Sequence, residues 1–110
     1  MNLVEYPYEV DGVSLTGFLA DGSDRSAVPG VLVAHEAPGV TKHVKQRVEL
    51  LAKRGFVAFA LDMYGEADLP LDAARKHSRR LMADATLMRR RARAALAMVP
   101  GVAKFFPAKL

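Results

Sequence analysis

Val31-Leu32-Val33-Ala34-His35-Glu36-Ala37-Pro38-Gly39 and, beyond a helical pattern, Phe56-Val57-Ala58-Phe59-Ala60-Leu61-Asp62 decide how this chain folds. Val31–Ala34 is a short, wholly apolar run rich in β-branched residues. It reads as a strand buried on both faces, the kind found in parallel sheets. Polarity returns abruptly at His35. Val44, Val48 and Leu51 then recur at i, i+4 and i+7, with Lys42, Lys45, Arg47 and Glu49 elsewhere around the turn, which is the pattern of an amphipathic helix. Thr41 fits the N-cap, Lys53 and Arg54 the last turn, and Gly55 the residue just past the end. Phe56–Leu61 is a second buried strand, stopped by Asp62. A strand–helix–strand unit of this kind implies parallel strands joined by a right-handed crossover.

The flanks follow from the same rules. Val4–Val10 meets Asp11-Gly12, the pair preferred in a type I′ turn because both central residues need positive φ. Val13, Leu15, Gly17 and Leu19 then alternate with Ser14, Thr16, Phe18 and Ala20, so residues 3–20 read as a hairpin. Asp21–Ser26 is a polar loop. Beyond Pro70, Leu71–Ala83 reads as a helix, and Asp84 can cap a restart. Leu81, Ala85, Met88, Ala92, Ala95 and Val99 keep helical spacing across that point, which fits one bent helix or two equally well. Pro100-Gly101 ends the pattern. The tail at 100–110 carries no assignment, and its Phe105-Phe106-Pro107 needs cover from this chain or another.

The composition bounds the function. The chain has 110 residues, 51% hydrophobic and 25% charged, with no Cys and no Trp. That is an ordinary globular domain, and a single one, 1–110. Without Cys there are no disulfides, no thiolate metal sites and no cysteine nucleophile. No apolar run approaches the roughly 20 residues that cross a bilayer, and the N-terminus lacks the basic start and apolar core of a signal peptide. A cytoplasmic protein without membrane attachment is expected.

Charge is uneven. Residues 1–70 carry ten acids and six bases, net −4, whereas residues 71–110 carry two acids and ten bases, net +8. A basic half raises nucleic acid as a partner. The wheel argues against it: Arg89, Arg90, Arg91 and Arg93 project at roughly 0°, 100°, 200° and 40°, so Arg91 points away and no groove-tracking stripe forms. A solvated outer helix face is the expected role, with no nucleic acid partner.

In an open α/β sheet, ligands gather beyond the carboxyl ends of the parallel strands. His35-Glu36-Ala37-Pro38-Gly39 and Asp62-Met63-Tyr64-Gly65-Glu66 both fall there. The bland readings are Glu36 capping a helix, Asp62 ending a strand, and Tyr64 in core packing rather than lining a pocket. His35, Glu36, His43, Asp62 and Glu66 offer metal ligands, but the spacing is not His-Glu-x-x-His, and His43 and His77 read as surface residues. No metal is expected. The turn after Ala34 is not Gly-x-Gly-x-x-Gly and there is no Walker loop, so no cofactor is expected either.

Tyr8 through Val99 resembles the N-terminal half of the dienelactone hydrolase family, in the α/β-hydrolase superfamily. The resemblance rests on Asp11-Gly12, on Pro29-Gly30-Val31-Leu32-Val33-Ala34-His35-Glu36 with Gly39 following, on Leu51-Ala52-Lys53-Arg54-Gly55-Phe56-Val57-Ala58, and on Asp62-Met63-Tyr64-Gly65. Each piece alone is common; their order and spacing are specific. It implies ester or lactone hydrolysis of a small substrate. Glu36 then stands where the family has an acidic residue beside its nucleophile that helps to control its ionisation. A carboxylate next to a thiol can do this because the two share protons. The backbone N–H of Ala37 stands where the family has one oxyanion-hole donor. The family holds a substrate carboxylate with an arginine near the segment after Tyr64. Arg75, Arg79 and Arg80 lie in that region, none matched singly.

The departure is as informative. The family's nucleophile sits on a Gly-x-Cys-x-Gly or Gly-x-Ser-x-Gly elbow after a third parallel strand, with the triad Asp and His further on. Here Ser14 lies in the hairpin, Ser23 and Ser26 in the first loop, and Ser78 on a helix; none lies in an elbow. The expectation is therefore a truncated hydrolase half, inactive alone. The other reading is a non-catalytic half-domain that binds a partner or itself. The fold class is α/β: a partial α/β-hydrolase sheet with an N-terminal antiparallel hairpin, two parallel strands, a crossover helix and a helical C-terminal region. In the family's sheet order the Val31 strand has the Phe56 strand on one side and an absent strand on the other. An open edge invites homo-oligomer formation through Val31–Ala34, or cover by the tail.

Overall fold

The computed structural model describes residues 3–22 and 30–98. Strands β1 (Val4–Val10) and β2 (Val13–Asp21) form the hairpin, followed by β3 (Gly30–Val33), helix α1 (Lys42–Lys53), β4 (Val57–Ala60), α2 (Leu71–Ala83) and α3 (Ala85–Met98). The sheet order is β1-β2-β4-β3. β1 and β2 are antiparallel, β4 joins β2 antiparallel, and β3 runs parallel to β4 in the register Val31 to Ala58 and Val33 to Ala60. The strand–helix–strand unit therefore forms as its sequence dictates. Asp11 and Gly12 both have positive φ, 51° and 81°, as the I′ turn requires.

The sheet is covered on both faces, and the alternation of β4 sorts the two cores. Val57, Phe59 and Leu61 join Tyr8, Leu15, Leu19, Leu81, Leu87 and Ala95 beneath α2 and α3. Ala58 and Ala60 face the other way, against Val44, Val48 and Ala52 of α1. Small residues on that face let α1 lie close on β4 and β2. Gly17 serves the opposite face, since a Cβ there would come within 2.2 Å of the Phe59 ring. The α1 C-terminus closes as a Schellman motif, with Gly55 N–H donating to the Ala52 carbonyl (2.9 Å) and Phe56 N–H to that of Leu51 (3.3 Å).

Two expectations need correction, and one that was left open is decided. β3 is not buried on both faces: all four residues are only half-buried, because β3 is the terminal strand of the described sheet and β4 flanks it on one side alone. Thr41 occupies the N-cap position of α1 but its side chain makes no capping bond. The helical region breaks at Asp84, whose Oδ1 accepts from Leu87 N–H at 3.0 Å. The new helix starts in its own phase: Leu87 and Arg91 are buried while Ala85 and Met88 of the continuous series are exposed, and Ala95 of that series is buried. The tail at 100–110, with Phe105 and Phe106, and the loop carrying Ser23 and Ser26 lie outside the described residues.

Candidate active site

The two turns singled out at the carboxyl ends of β3 and β4 are brought together. Residues 34–41 link β3 to α1, and residues 61–70 link β4 to α2. Leu61 N–H donates to the Val33 carbonyl at 3.2 Å, Met63 N–H to His35 Nε2 at 3.0 Å, and Leu69 N–H to the Pro38 carbonyl at 3.1 Å. Gly39 stands where they cross. Its φ is +92°, and a Cβ would meet the Glu66 carbonyl oxygen at 2.7 Å, so only glycine fits without displacement.

Asp62 organises the second turn. Its side chain is buried, 4% exposed. Oδ2 accepts from Thr16 N–H (2.8 Å), and Oδ1 accepts from Tyr64 N–H (2.9 Å) and Gly65 N–H (3.0 Å). Three backbone donors on one carboxylate tie the loop to β2. Arg91, 3% exposed, approaches from α3 and donates through Nη1 to the Met63 carbonyl, while its Nε has no partner. Burial lowers the Arg91 pKa, as does the Arg80 cation, and the Asp62 carboxylate opposes the shift.

In the first turn, Gly39 N–H donates to the Glu36 carbonyl at 3.0 Å. The same carbonyl lies 2.8 Å from His35 Nδ1. Glu36 and Ala37 are exposed. Glu36 also borders a groove of about 560 Å³ between the end of β3 and α1, lined by Val33, Pro38, Val44, Arg47 and Leu50 among others. Tyr64 is buried, its ring 4.6 Å edge-on from His35 and stacked on His77 at 4.6 Å. Burial raises its pKa, and a hydrogen bond with Ser78 opposes that. His77 Nε2 lies 2.7 Å from Glu66 Oε2, which ties α2 to the loop. Arg75, Arg79 and Arg80 are exposed on α2. Among the described residues, no three His, Asp or Glu side chains cluster closely enough to hold a metal ion.

Sequence reasoning grouped Glu36 with Ala37 and placed Asp62 in the neighbouring turn. It missed the hydrogen-bonding roles of His35, Tyr8 and Arg91. Arg91 left a signal, since it alone of the four arginines points off their shared face. His35 left none, because its partner is a backbone amide 28 residues away.

A parallel β–α–β unit with two turns meeting beyond its carboxyl strand ends defines an open α/β fold, in which ligands gather at such strand ends. The model of the dienelactone hydrolase family matches residues 15–107. The chain belongs to that family. It is 41% identical over 73 residues to a putative carboxymethylenebutenolidase of Aquifex aeolicus (strain VF5), covering 62% of this chain and 31% of that protein. The crystal structure of a dienelactone-hydrolase-like promiscuous phosphotriesterase from metagenomic libraries superposes with a TM-score of 0.84 at 30% identity. The match covers 98% of this chain and 46% of the other. A putative dienelactone hydrolase from Klebsiella pneumoniae subsp. pneumoniae MGH 78578 shares the fold, with a TM-score of 0.55 at 16% identity, over 96% of this chain and 48% of that one. The chain thus spans about a third of the curated relative and under half of the solved ones. Among the described residues, no helix is long and apolar enough to cross a membrane.

Proposed function

We propose that this chain supplies one half of an ester- or lactone-hydrolysing site. The observation that carries the reading is the Glu36–Gly39 turn, fixed by backbone bonds at the carboxyl end of β3 with the Ala37 N–H on an exposed residue. In the reaction, a Cys or Ser nucleophile adds to the carbonyl carbon. The resulting oxyanion takes a hydrogen bond from Ala37 N–H, the C–O bond breaks, and the alcohol leaves with a proton. Water then adds to the acyl-enzyme and releases the acid. Glu36 exchanges a proton with the nucleophile, and an arginine among Arg75, Arg79 and Arg80, together with Tyr64, serves a substrate carboxylate. The chain has no Cys and no serine in an elbow, so the nucleophile and its triad partners belong to a second half. Alone, these residues do not turn over substrate.

The test is a chimera that joins residues 1–98 to the part of the metagenomic relative that lies beyond the match, assayed on a short acyl ester and a lactone beside the 110-residue chain. Turnover by the chimera only, reduced at least tenfold by Glu36→Ala, supports the reading; each tenfold is about 1.4 kcal/mol of barrier. A folded but inactive chimera overturns it. Glu36-dependent turnover by the short chain overturns the claim that it is inactive alone.

One observation favours a second reading. β3 ends the described sheet, its outer edge flanked by the groove and by Leu50, 49% exposed. Such an edge is a template for pairing. In this reading the chain associates with itself through Val31–Ala34. Sedimentation as a dimer, with Val31–Ala34 amides protected as concentration rises, supports it. A monodisperse monomer with a freely exchanging edge overturns it.

A further inference from the structure

The His35 imidazole touches two backbone groups at once, and together they fix its proton. Nε2 lies 3.0 Å from Met63 N. A backbone amide can only donate, so Nε2 must accept and carries no hydrogen. The neutral ring is then protonated at Nδ1, 2.8 Å from the Glu36 carbonyl oxygen, to which it donates. Which nitrogen of a histidine holds the proton is set by what the other one meets. The ring plane is held as well, by Tyr64 edge-on at 4.6 Å, which is itself stacked on His77.

The Glu36 carbonyl and the Ala37 N–H belong to one peptide unit. That unit is planar, and no peptide among the described residues is cis, so its C=O and N–H point in opposite directions. Whatever holds the Glu36 oxygen therefore aims the Ala37 hydrogen. Two donors hold it, His35 Nδ1–H and Gly39 N–H. Donation to an amide oxygen also polarises the same amide, making its N–H a stronger donor. Met63, the anchor of the imidazole, is in turn held by Arg91 of α3, which donates to its carbonyl.

We propose that His35 is a positioning residue: in its Nδ1–H tautomer, anchored by Met63 N–H, it fixes the Glu36–Ala37 peptide plane and thereby aims and strengthens the Ala37 N–H donor. The proposal rests on the reading of Ala37 as an oxyanion donor, which the test below separates from it. Histidine does here what no single amide side chain can, since it accepts and donates along one rigid ring. Asn reaches the Nδ1 position and keeps the donor; Gln reaches the Nε2 position and keeps the acceptor.

The experiment uses the 110-residue chain, uniformly labelled with ¹⁵N. Long-range ¹H–¹⁵N spectra should assign the Nδ1–H tautomer to His35. In His35→Leu the Met63 amide should exchange about tenfold faster, and the Ala37 amide nitrogen, which senses hydrogen bonding at the preceding carbonyl, should shift. His35→Asn should restore the Ala37 resonance but not the Met63 protection; His35→Gln should do the reverse. A merely structural histidine would not give this crossed rescue. An Nε2–H tautomer, or an Ala37 resonance indifferent to all three variants, overturns the proposal. In the hydrolytic chimera, His35→Leu should lower kcat at least tenfold with KM little changed. If the crossed rescue is observed and kcat is unaffected, Ala37 is not the oxyanion donor, and the reading of the site falls while the clamp stands.

Discussion

The Tyr8 hydroxyl clasps the backbone of Asp62 from two strands away, donating to its carbonyl (3.2 Å) and accepting from its N–H (3.1 Å). A phenol thereby satisfies the backbone of Asp62, two residues past the end of β4, where the ladder has given way to the site turn. Burial pushes the Tyr8 pKa from its ordinary 10 up to about 12, and the Asp62 carboxylate adds to that while the bond to the Asp62 backbone opposes it. The folded protein thus keeps a proton that the unfolded chain loses between those values. Stability is complete below about pH 10 and falls as pH rises toward 12, by up to roughly 2–3 kcal/mol. Tyr8→Phe should cost about 1–2 kcal/mol at pH 7 and flatten this alkaline limb. Urea titrations of both proteins between pH 8 and about 12 check it; equal slopes in the two would assign the alkaline loss elsewhere.

Asp62→Asn is nearly isosteric, yet it should be costly. An amide has one oxygen for the three N–H groups that the carboxylate accepts, and its NH₂ would confront one of those donors. If the oxygen keeps Tyr64 and Gly65, the NH₂ faces Thr16 N–H. About 2–3 kcal/mol should be lost. Because the turn is tied to His35 through Met63, amide exchange of Met63 should quicken with that of Tyr64. A loss below about 0.5 kcal/mol would mean that the carboxylate bonds are incidental.

Local chemistry was legible in the sequence wherever one residue decides the backbone. Asp11-Gly12 gave the hairpin turn, Gly55 the helix end, and Asp84 the restart. The family motifs placed Glu36 and Ala37 in one turn. Relations that depend on register were not legible. That Thr16 lies opposite the side chain of Asp62, or that Tyr8 reaches past β2, follows from how β2 pairs with β4, and no periodicity within either segment encodes it. The choice between one bent helix and two stayed open for a related reason: the spacing of Leu81, Ala85 and Met88 across Asp84 fits both. The half-exposure of β3 was not legible in the apolar run itself, which reports what a strand can bury and says nothing of what lies beside it; the open edge came only from the sheet order that the family resemblance implies.

Arg91 is a buried cation whose Nη1 serves Met63 while Nε lacks a partner. Replacing it with an unbranched apolar chain removes that unpaired donor and the desolvated charge, and leaves the Met63 carbonyl unsatisfied. Arg91→Met should therefore change stability by about 1 kcal/mol or less, whereas Arg91→Ala, which also opens a cavity beside Leu87 and Ala95, should cost about 2–4 kcal/mol. Guanidinium melts of the pair check the ordering. Equal losses would assign the role of Arg91 to charge rather than volume.

Gly39→Ala tests whether the crossing of the two turns is as tight as the geometry requires. The new methyl must move the Glu66 backbone, 2.7 Å away, and hold a non-glycine residue at φ +92°. The two effects together should cost about 1–3 kcal/mol. The strain falls on a junction braced on both sides, by Gly39 N–H to the Glu36 carbonyl and by Leu69 N–H to the Pro38 carbonyl, so it cannot be relieved without loosening the turn that carries Ala37. Thermal unfolding should register the cost, and faster exchange of the Leu69 amide should locate it. If Tm falls but Leu69 exchange is unchanged, the strain is absorbed on the Glu66 side, and the Glu36–Gly39 turn is stiffer than the loop it meets.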